Sequence, residues 1–376
     1  MALSKPTRSA GLLLACLVIV LASVAGAPAA GHADDIRDDM WHLKYLQATK
    51  VQAITQGEGV TVAVVDSGVD GNHPDLKGNV EEGSYGSWDD RQGHGTAMAS
   101  LIAGHGHGPG NRDGVLGLAP EAHILPILSG KASGRGGPED MVSRIHWTTD
   151  HGADVINISE GGAGRVKRVC DAVKYALSKD VVVVAAAGNT TQGDTKVASP
   201  ANCPGVIAAS GTDQDGNFTD ASVQGHEVVL AAPATDIVGA GLRSRTGYIV
   251  GTGTSGASAL ISGTVALIRS KYPDSTAADV IQRLISTADD RGPKGRDPRY
   301  GFGIVDPLKA LTADVPKVDH NPLLKPSKSP KPVGTAKGEN SKGGWCLAAL
   351  GVPGATGFVL AGVFVLRRRR TYPASS

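Results

Sequence analysis

The run Val60-Thr61-Val62-Ala63-Val64-Val65 predicts a continuous apolar β-strand, and a carboxylate, Asp66, follows it directly. Similar short β-branched runs recur at residues 124–128, 155–158, 181–186, 206–209 and 228–231. Stretches typical of helices lie between or after them, at residues 96–103, 166–178, 255–271 and 277–287. This alternation indicates an α/β fold, in which helices cover both faces of a parallel sheet. Because such sheets bind ligands at the carboxyl ends of their strands, we expect functional residues just after each strand.

Length and composition limit what the chain can be. Its 376 residues are enough for one large domain or two small ones, and its net charge of +1 gives no general indication of nucleic-acid binding. Glycine is abundant, with 51 residues, and aromatic residues make up only 4%. Since many of the glycines cluster in short motifs, we interpret them as tight turns and close backbone approaches.

Residues 1–33 have the pattern of a secretory signal peptide. Lys5 and Arg8 precede an apolar stretch from Leu12 to Ala25, and small residues suited to cleavage follow up to Ala33. An uncleaved N-terminal anchor is the alternative, and it is disfavoured because the apolar core is short. We therefore expect the part of the chain after Ala33 to be exported.

A second apolar stretch lies at residues 345–366. As a helix of about 22 residues it would be roughly 33 Å long, enough to cross a bilayer, whereas a buried soluble helix is the alternative. Arg367–Arg370 begin a basic tail, residues 367–376, which the positive-inside rule places in the cytoplasm. Residues 316–344 are rich in proline and lysine, which is typical of a semi-extended linker. These features predict a single-pass protein of the cell membrane with an extracellular domain at residues 34–315.

Two of the four cysteines, Cys170 and Cys203, lie in the predicted exported domain. Oxidation is permitted outside the cell, so these two residues are candidates for a disulfide. A bridge would close a loop of about 33 residues and contribute roughly 3–4 kcal/mol in the chain-entropy model. Two buried free thiols are the alternative.

Three short motifs place reactive side chains where the sheet argument expects them. Asp66 follows the first predicted strand, His94 lies at a helix start between Gly93 and Gly95, and Ser255 begins a long predicted helix. A serine hydroxyl is a poor nucleophile until an imidazole accepts its proton. The imidazole needs a carboxylate on its other nitrogen, and the start of a helix offers N–H groups to an oxyanion. We therefore predict that Asp66, His94 and Ser255 form a catalytic triad for acyl transfer.

Each of these motifs alone has an ordinary explanation, namely a turn after a strand, a glycine-rich loop and a helix cap. In combination they are more specific, because the chain order Asp, His, Ser is that of subtilisin.

Residues 41–311 resemble a complete catalytic domain of the subtilisin-like serine peptidases. The matches extend beyond the triad to residues 73–76, 117–120, 157–162, 186–189 and 300–306. The resemblance implies that Asn189 is an oxyanion-hole donor, and that the segment Ser159, Glu160 and Gly161 binds the substrate as an added strand. The implied activity is that of a serine endopeptidase acting on protein or peptide substrates.

Glu160 stands where this family commonly has an apolar residue. A carboxylate beside the substrate strand could favour substrates with basic side chains. The alternative is a solvated charge at the edge of the cleft.

The domain order is similar to that of the mycosins, the membrane-anchored peptidases associated with type VII secretion in actinobacteria. The features that this chain and the mycosins have in common are a short N-terminal extension, a proline-rich tether and one membrane helix with a basic tail. The resemblance implies that Asp34 to Gln56 packs on the catalytic domain and that the secretion machinery is a partner. A general degradative protease at the cell surface and a mainly structural stabiliser of a secretion complex are the alternatives.

His105 and His107 could suggest a metal site. No further ligand at recognisable spacing accompanies them, so we interpret this region as a flexible loop and predict no metal there. Calcium is common in the family, but these residues allow no ligand set to be assigned. No cofactor is expected.

Overall fold

The structure is a computed structural model, and it describes residues 36–81, 88–130, 137–162, 164–242 and 247–324. The predicted signal peptide, the predicted span at residues 345–366, the basic tail and most of the linker lie outside these residues. All described residues belong to the first of two units in the chain, Met1–Pro326. Across the described residues, no helix is both long and apolar enough to cross a membrane.

Helices and strands alternate along the described chain. The helices are α1 (Trp41–Tyr45), α2 (Ala48–Gln52), α3 (His94–Ala103), α4 (Pro138–Asp150), α5 (Lys167–Ser178), α6 (Thr254–Lys271), α7 (Ala277–Thr287) and α8 (Pro307–Thr312). The strands are β1 (Thr61–Asp66), β2 (His105–His107), β3 (Asp113–Leu116), β4 (His123–Leu128), β5 (Val155–Ile158), β6 (Val182–Ala186), β7 (Ile207–Thr212), β8 (Val228–Pro233), β9 (Ile237–Ala240) and β10 (Tyr248–Gly251).

Six of these strands form one parallel sheet in the order β4-β1-β5-β6-β7-β8. β1 lies between β4 and β5, so that Val65 is opposite Ile127 on one side and Ile158 on the other. The predicted α/β fold with a parallel sheet is confirmed. The other described strands form two antiparallel pairs, β2 with β3 and β9 with β10.

Helices cover both faces of the sheet because alternate residues of each strand point to opposite sides. Val62 and Val64 of β1 pack in a core that contains residues of α3 and α6. Ala63 and Val65 pack in a second core that contains residues of α4 and α5. Nearly every residue of α6 is buried, so the core determines where the start of this helix lies.

The sequence also contains elements that its periodicity did not indicate. They are α1, α2, α4, α8 and the pairs β2–β3 and β9–β10. In α4 most side chains are polar and Ile145 is one of few buried residues, so the apolar stripe is narrow. β2 and β3 have only three and four residues, too few to show an alternating pattern.

His105 and His107 belong to strand β2, so the flexible-loop interpretation is wrong. The Nδ1 atom of His107 lies 2.6 Å from Oδ1 of Asp75, and Nε2 of His105 lies 3.1 Å from the carbonyl oxygen of Lys77. These contacts, together with the pairing of β2 and β3, hold the segment in place. The sequence did not indicate this because both partners are about thirty residues away.

The N-terminal extension packs on the domain, as the resemblance implied. Val51 of α2 is fully buried in the core shared with α3 and α6. Nε1 of Trp41 donates a hydrogen bond to the carbonyl oxygen of Thr235 at 3.1 Å, and Nε2 of Gln52 donates to that of Gly117 at 2.8 Å. The extension is therefore joined to the domain by both apolar and polar contacts.

Cys170 in α5 and Cys203, just before β7, form a disulfide. Ser199 lies in the same loop as Cys203, and its Oγ accepts a hydrogen bond from the N–H of Val166 at 2.8 Å. The disulfide therefore attaches α5 to a loop that also contacts the residue just before this helix.

Candidate active site

Asp66 and His94 meet at the carboxyl end of β1. Nδ1 of His94 lies 2.7 Å from Oδ1 and 2.9 Å from Oδ2 of Asp66. Asp66 is only 4% exposed, whereas the side chain of His94 is 44% exposed. A buried carboxylate on Nδ1 leaves Nε2 of the ring to face the cleft, which is the arrangement required of a general base.

Glycine at position 95 allows α3 to approach β1 this closely. A Cβ atom at Gly95 would lie 2.0 Å from the carbonyl oxygen of Gly68 and 3.1 Å from Cβ of Asp66. Any side chain would therefore push the start of α3 away from Asp66. Gly93, on the other side of His94, has φ +83°, a backbone conformation that glycine adopts without strain.

Ser255 lies in the first turn of α6, at the edge of the same cleft. The cleft has a volume of about 140 Å³, and its lining includes His94, Asn189 and Ser255. Oγ of Ser255 donates a hydrogen bond to the carbonyl oxygen of Ser159 at 3.3 Å. Hydrogen bonds between catalytic groups are often formed in good geometry only when substrate is present. The cleft thus brings Ser255 and His94, the predicted nucleophile and base, to one place.

Asn189 is oriented by the residue before Ser255. Its Oδ1 accepts hydrogen bonds from the N–H of Thr254 at 2.9 Å and from Oγ1 of Thr254 at 3.2 Å. The N–H of Asn189 itself donates to Oδ2 of Asp194 at 2.9 Å. With Oδ1 occupied, the side-chain NH₂ group remains as a donor at the cleft. The N–H of Ser255 is a second donor, because the first N–H groups of a helix have no partner within it.

Two opposing effects act on the pKa of His94. Burial lowers it, whereas Asp66 raises it through its charge and its hydrogen bond, and the charges of Asp90 and Glu160 add to the rise. The net result is a pKa above the ordinary value for histidine. A raised pKa means that the imidazolium formed during proton transfer is stabilised, which favours His94 as the base.

The predicted substrate strand, Ser159 to Gly161, follows directly after the carboxyl end of β5. Nδ2 of Asn157 donates to Oγ of Ser159 at 3.0 Å, and Oδ1 of Asn157 accepts from Oγ of Ser262 at 3.1 Å. Asn157 therefore ties this segment to α6. Ser159 and Glu160 are half-buried and Gly161 is exposed, so the segment is available to pair with a peptide.

Glu160 faces a second cavity beside this segment. The cavity has a volume of about 210 Å³, and Asp140, Met141 and Val169 also line it. Oδ1 of Asp140 accepts hydrogen bonds from Arg144, so that pair is neutral overall. The cavity thus combines an apolar wall with the charge of Glu160.

Four residues of the site were not predicted from the sequence: Thr254, Asn157, Asp194 and Asp90. The first three act by orienting other residues, and Asn157 and Thr254 fall within or beside motifs that were recognised. Asp90 is a buried carboxylate four residues before His94. The pair of adjacent acidic residues Asp89-Asp90, so close to the histidine, is the sequence feature that could have indicated it. Within the ranges that the structure describes, no group of three or more histidine, cysteine or acidic residues is placed to hold a metal, so a calcium site stays unassigned.

Comparison with known proteins gives one consistent answer. The model of the Subtilase family matches residues 57–303. Mycosin-1 from Mycobacterium tuberculosis is 32% identical over 354 residues, which cover 79% of this chain and 78% of that protein. Subtilisin DY from Bacillus licheniformis is 37% identical over 269 residues, which cover 69% of this chain and 94% of that protein.

A solved structure agrees with this result. The MycP3 protease from the type VII (ESX-3) secretion system superimposes with a TM-score of 0.64 at 32% identity, covering 73% of this chain and 88% of that one. The chain therefore belongs to the subtilase family of serine endopeptidases, in the branch that contains the mycosins.

Proposed function

We propose that this chain is a membrane-anchored endopeptidase on the outer face of the cytoplasmic membrane, where it acts with a type VII secretion machinery. The observation that carries the catalytic part is the 2.7 Å contact between Nδ1 of His94 and Asp66, at the cleft that Ser255 also lines. The secretion part is supported by similarity to Mycosin-1 and to the MycP3 protease over most of the chain.

In the proposed mechanism, Ser255 is the nucleophile and His94 the base. Oγ of Ser255 attacks the carbonyl carbon of the scissile bond while Nε2 of His94 takes the hydroxyl proton. The proton passes to the nitrogen of the leaving peptide as the C–N bond breaks, which leaves an acyl-enzyme. His94 then takes a proton from water, the resulting hydroxide attacks the acyl carbon, and Ser255 regains its proton as the new carboxylic acid leaves. Asp66 keeps the ring oriented throughout.

The oxyanion of each tetrahedral intermediate would be bound by the side-chain NH₂ of Asn189 and the N–H of Ser255. Both donors would be in place before the reaction, which is supported by the hydrogen bond from Thr254 to Asn189 and by the burial of α6. Donors that need not reorganise contribute most to stabilising a developing charge.

The substrate would lie along Ser159 to Gly161 as an added strand, with its main chain paired to this segment. Since the carbonyl oxygen of Ser159 is 3.3 Å from Oγ of Ser255, a residue paired with Ser159 lies next to the nucleophile. Residues of a strand are about 3.3 Å apart, so the cavity beside Glu160 would take a side chain further from the scissile bond.

The membrane topology rests on the sequence pattern of the two ends of the chain. Residues 1–33 would be removed on export, residues 345–366 would span the membrane, and residues 367–376 would remain in the cytoplasm. A sodium carbonate wash of membranes tests this. The full chain should stay with the membrane, and a chain ending at residue 344 should be released.

Identification of new protein N-termini in exported fractions tests the function. Cells with the wild-type chain should show a small set of cleavage sites that is absent from cells with Ser255→Ala. Ser270→Ala, at the far end of the same helix, is the matched control and should retain them. A broad set of sites would instead indicate a degradative protease. If deletion of the chain abolishes secretion and the Ser255→Ala chain supports normal secretion, the structural role dominates.

A further inference from the structure

Asp90 is a buried carboxylate that the triad does not include. It lies in the loop that leads into α3 and is only 1% exposed. Its oxygens accept five hydrogen bonds: Oδ1 from Oγ of Ser67 (2.9 Å) and from the N–H groups of Gln92 (2.9 Å) and Gly93 (2.9 Å), and Oδ2 from the N–H (3.0 Å) and Oγ1 (2.7 Å) of Thr96.

These contacts reach both members of the Asp–His pair through their neighbours. Oγ of Ser67 also accepts a hydrogen bond from the N–H of Gly95 at 2.9 Å, and the N–H of Ser67 donates to Oδ1 of Asp66 at 2.7 Å. The residue next to Asp66 and the residue next to His94 are thus joined through one hydroxyl group, and Asp90 orients that hydroxyl.

Asp90 also caps the helix that His94 begins. Gly93 occupies the N-cap position and has no side chain to cap the helix, while Oδ2 of Asp90 accepts the N–H of Thr96 in the first turn. A carboxylate at this end of a helix is favoured by the helix dipole.

No cation among the described residues forms an ion pair with Asp90, which makes its charge unusual. A buried carboxylate without a cation is unfavourable unless hydrogen bonds compensate for the lost water. Here five hydrogen bonds do so, and two of them come from Thr96 in the first turn of the helix that His94 begins. The charged groups that act on the ring of His94 are Asp66, Asp90 and Glu160, all negative.

We propose that Asp90 is a positioning residue for catalysis, which holds the start of α3 against the turn after β1 and places a negative charge at the first turn of the helix that His94 begins. The proposal rests on the triad proposed above. It predicts two separate effects of removing the charge: a weaker base, and a slower reaction because His94 is less well oriented.

Asp90→Asn tests both effects, and Asp89→Asn is the matched control. Asp89 is the neighbouring carboxylate in the same loop, with a side chain 48% exposed and paired with Arg91. In Asp90→Asn, an NH₂ group replaces one of the two carboxylate oxygens, so at least two of the five accepted hydrogen bonds are lost. The rate of reaction with diisopropyl fluorophosphate should fall roughly 10- to 100-fold, as expected for a misplaced catalytic group. Asp89→Asn should react at the wild-type rate.

The titration of His94 provides a readout that does not need activity. NMR of the labelled imidazole in a Ser255→Ala background should show its pKa lowered in Asp90→Asn, and unchanged in Asp89→Asn. Ser67→Ala keeps the carboxylate but removes the bridging hydroxyl. It should slow the reaction and leave the pKa near the wild-type value.

Different results would contradict the proposed triad and the proposed role of Asp90. A wild-type chain that does not react with the fluorophosphate would contradict the triad, while the titration would still test Asp90. Equal pKa values in Asp90→Asn and Asp89→Asn would overturn the role of Asp90, as would equal rates. If Asp90→Asn does not fold, Ser67→Ala decides the orienting role, and a wild-type rate in that variant overturns it.

Discussion

Two histidines, one at the start of α3 and one in α1, show how surroundings decide what an imidazole can do. His42 is fully buried, and neither ring nitrogen has a hydrogen-bond partner among the described residues. Burial lowers its pKa to about 3. At His94 burial acts in the same direction, but Asp66, with Asp90 and Glu160, more than offsets it and the pKa is raised. Burial alone favours the neutral form of an imidazole, whereas a carboxylate on Nδ1 raises the pKa of the ring and so favours its acting as a base.

Asp66→Asn removes the main difference between the two sites and should have the largest effect. The rate of peptide hydrolysis, kcat/KM, should fall by about 10⁴, as expected when the wrong tautomer is held. The pKa of His94 should fall as well, because burial remains and the charge is lost. His94 must be neutral to accept a proton, so the acidic limb of the pH–rate profile should move to lower pH.

The matched control for this change is Asp171→Asn, on α5, where the carboxylate is exposed and paired with Lys167. It should leave both the rate and the profile unchanged. A loss of less than tenfold in Asp66→Asn, or an acidic limb that stays in place, would contradict the role of Asp66.

Asn189→Ala extends the comparison from charged groups to a neutral donor. Removing one oxyanion donor from a preorganised site typically lowers kcat by about 10²–10³. KM and the acidic limb should stay close to wild type, because Asn189 does not act on His94. Kinetics on a fluorogenic peptide measure this, with Asn202→Ala, outside the cleft, as the control. A change in KM alone would show that Asn189 binds substrate without serving the transition state.

His42 gives a prediction on stability. Its pKa is about 3 when folded and 6.5 as the ordinary value, so the unfolded chain binds more protons between these values. The free energy of unfolding should therefore be highest above pH 6.5, where His42 is neutral in both states, and should decrease as the pH falls toward 3. The loss between pH 7 and pH 5 should be about 2 kcal/mol.

His42→Leu should remove this part of the pH dependence while leaving kcat/KM unchanged. Unfolding by urea at several pH values measures it, and His123→Leu, an exposed histidine of β4, is the control. Equal pH dependence of stability in His42→Leu and the wild type would show that His42 does not carry the effect.

Glu160→Gln should have the smallest effect. Removing a half-buried charge beside the substrate strand should lower the preference for peptides with a basic residue by a few-fold, within the range of a partly solvated ion pair. It should also lower the pKa of His94 slightly, since Glu160 contributes to the rise. A panel of matched basic and neutral peptides measures the first effect, with Glu121→Gln as the control. Unchanged relative kcat/KM across the panel would mean that Glu160 is only a surface charge.

The fold was predictable because its central strands are apolar on both faces. β5 and α7 begin and end where the periodicity predicts, at Val155–Ile158 and Ala277–Thr287. α4 and the small antiparallel pairs were not predictable, because narrow apolar stripes and very short strands carry little periodic signal. β2 in particular is held by side-chain contacts with residues distant in the sequence.

In the candidate site, the predictable residues were those with reactive side chains at the ends of strands or the starts of helices. Asp66, His94 and Ser255 were proposed on that ground, and the structure places His94 and Ser255 at one cleft, with the buried Asp66 in contact with His94. The residues that orient them could not be proposed in the same way. Thr254 donates a hydrogen bond to Asn189, and Asn157 accepts one from Ser262. Both contacts join residues that are far apart in the sequence, so no local pattern indicates them.

Mapping of a fluorophosphonate adduct tests most directly the claim that Asp66, His94 and Ser255 work as one unit. The wild-type chain is treated with diisopropyl fluorophosphate, digested and analysed by mass spectrometry, next to His94→Ala and to His123→Ala as the control. One adduct is expected, on Ser255, and it should be lost in His94→Ala and retained in His123→Ala. An adduct on another serine, or labelling of Ser255 at the wild-type rate without His94, would contradict this claim.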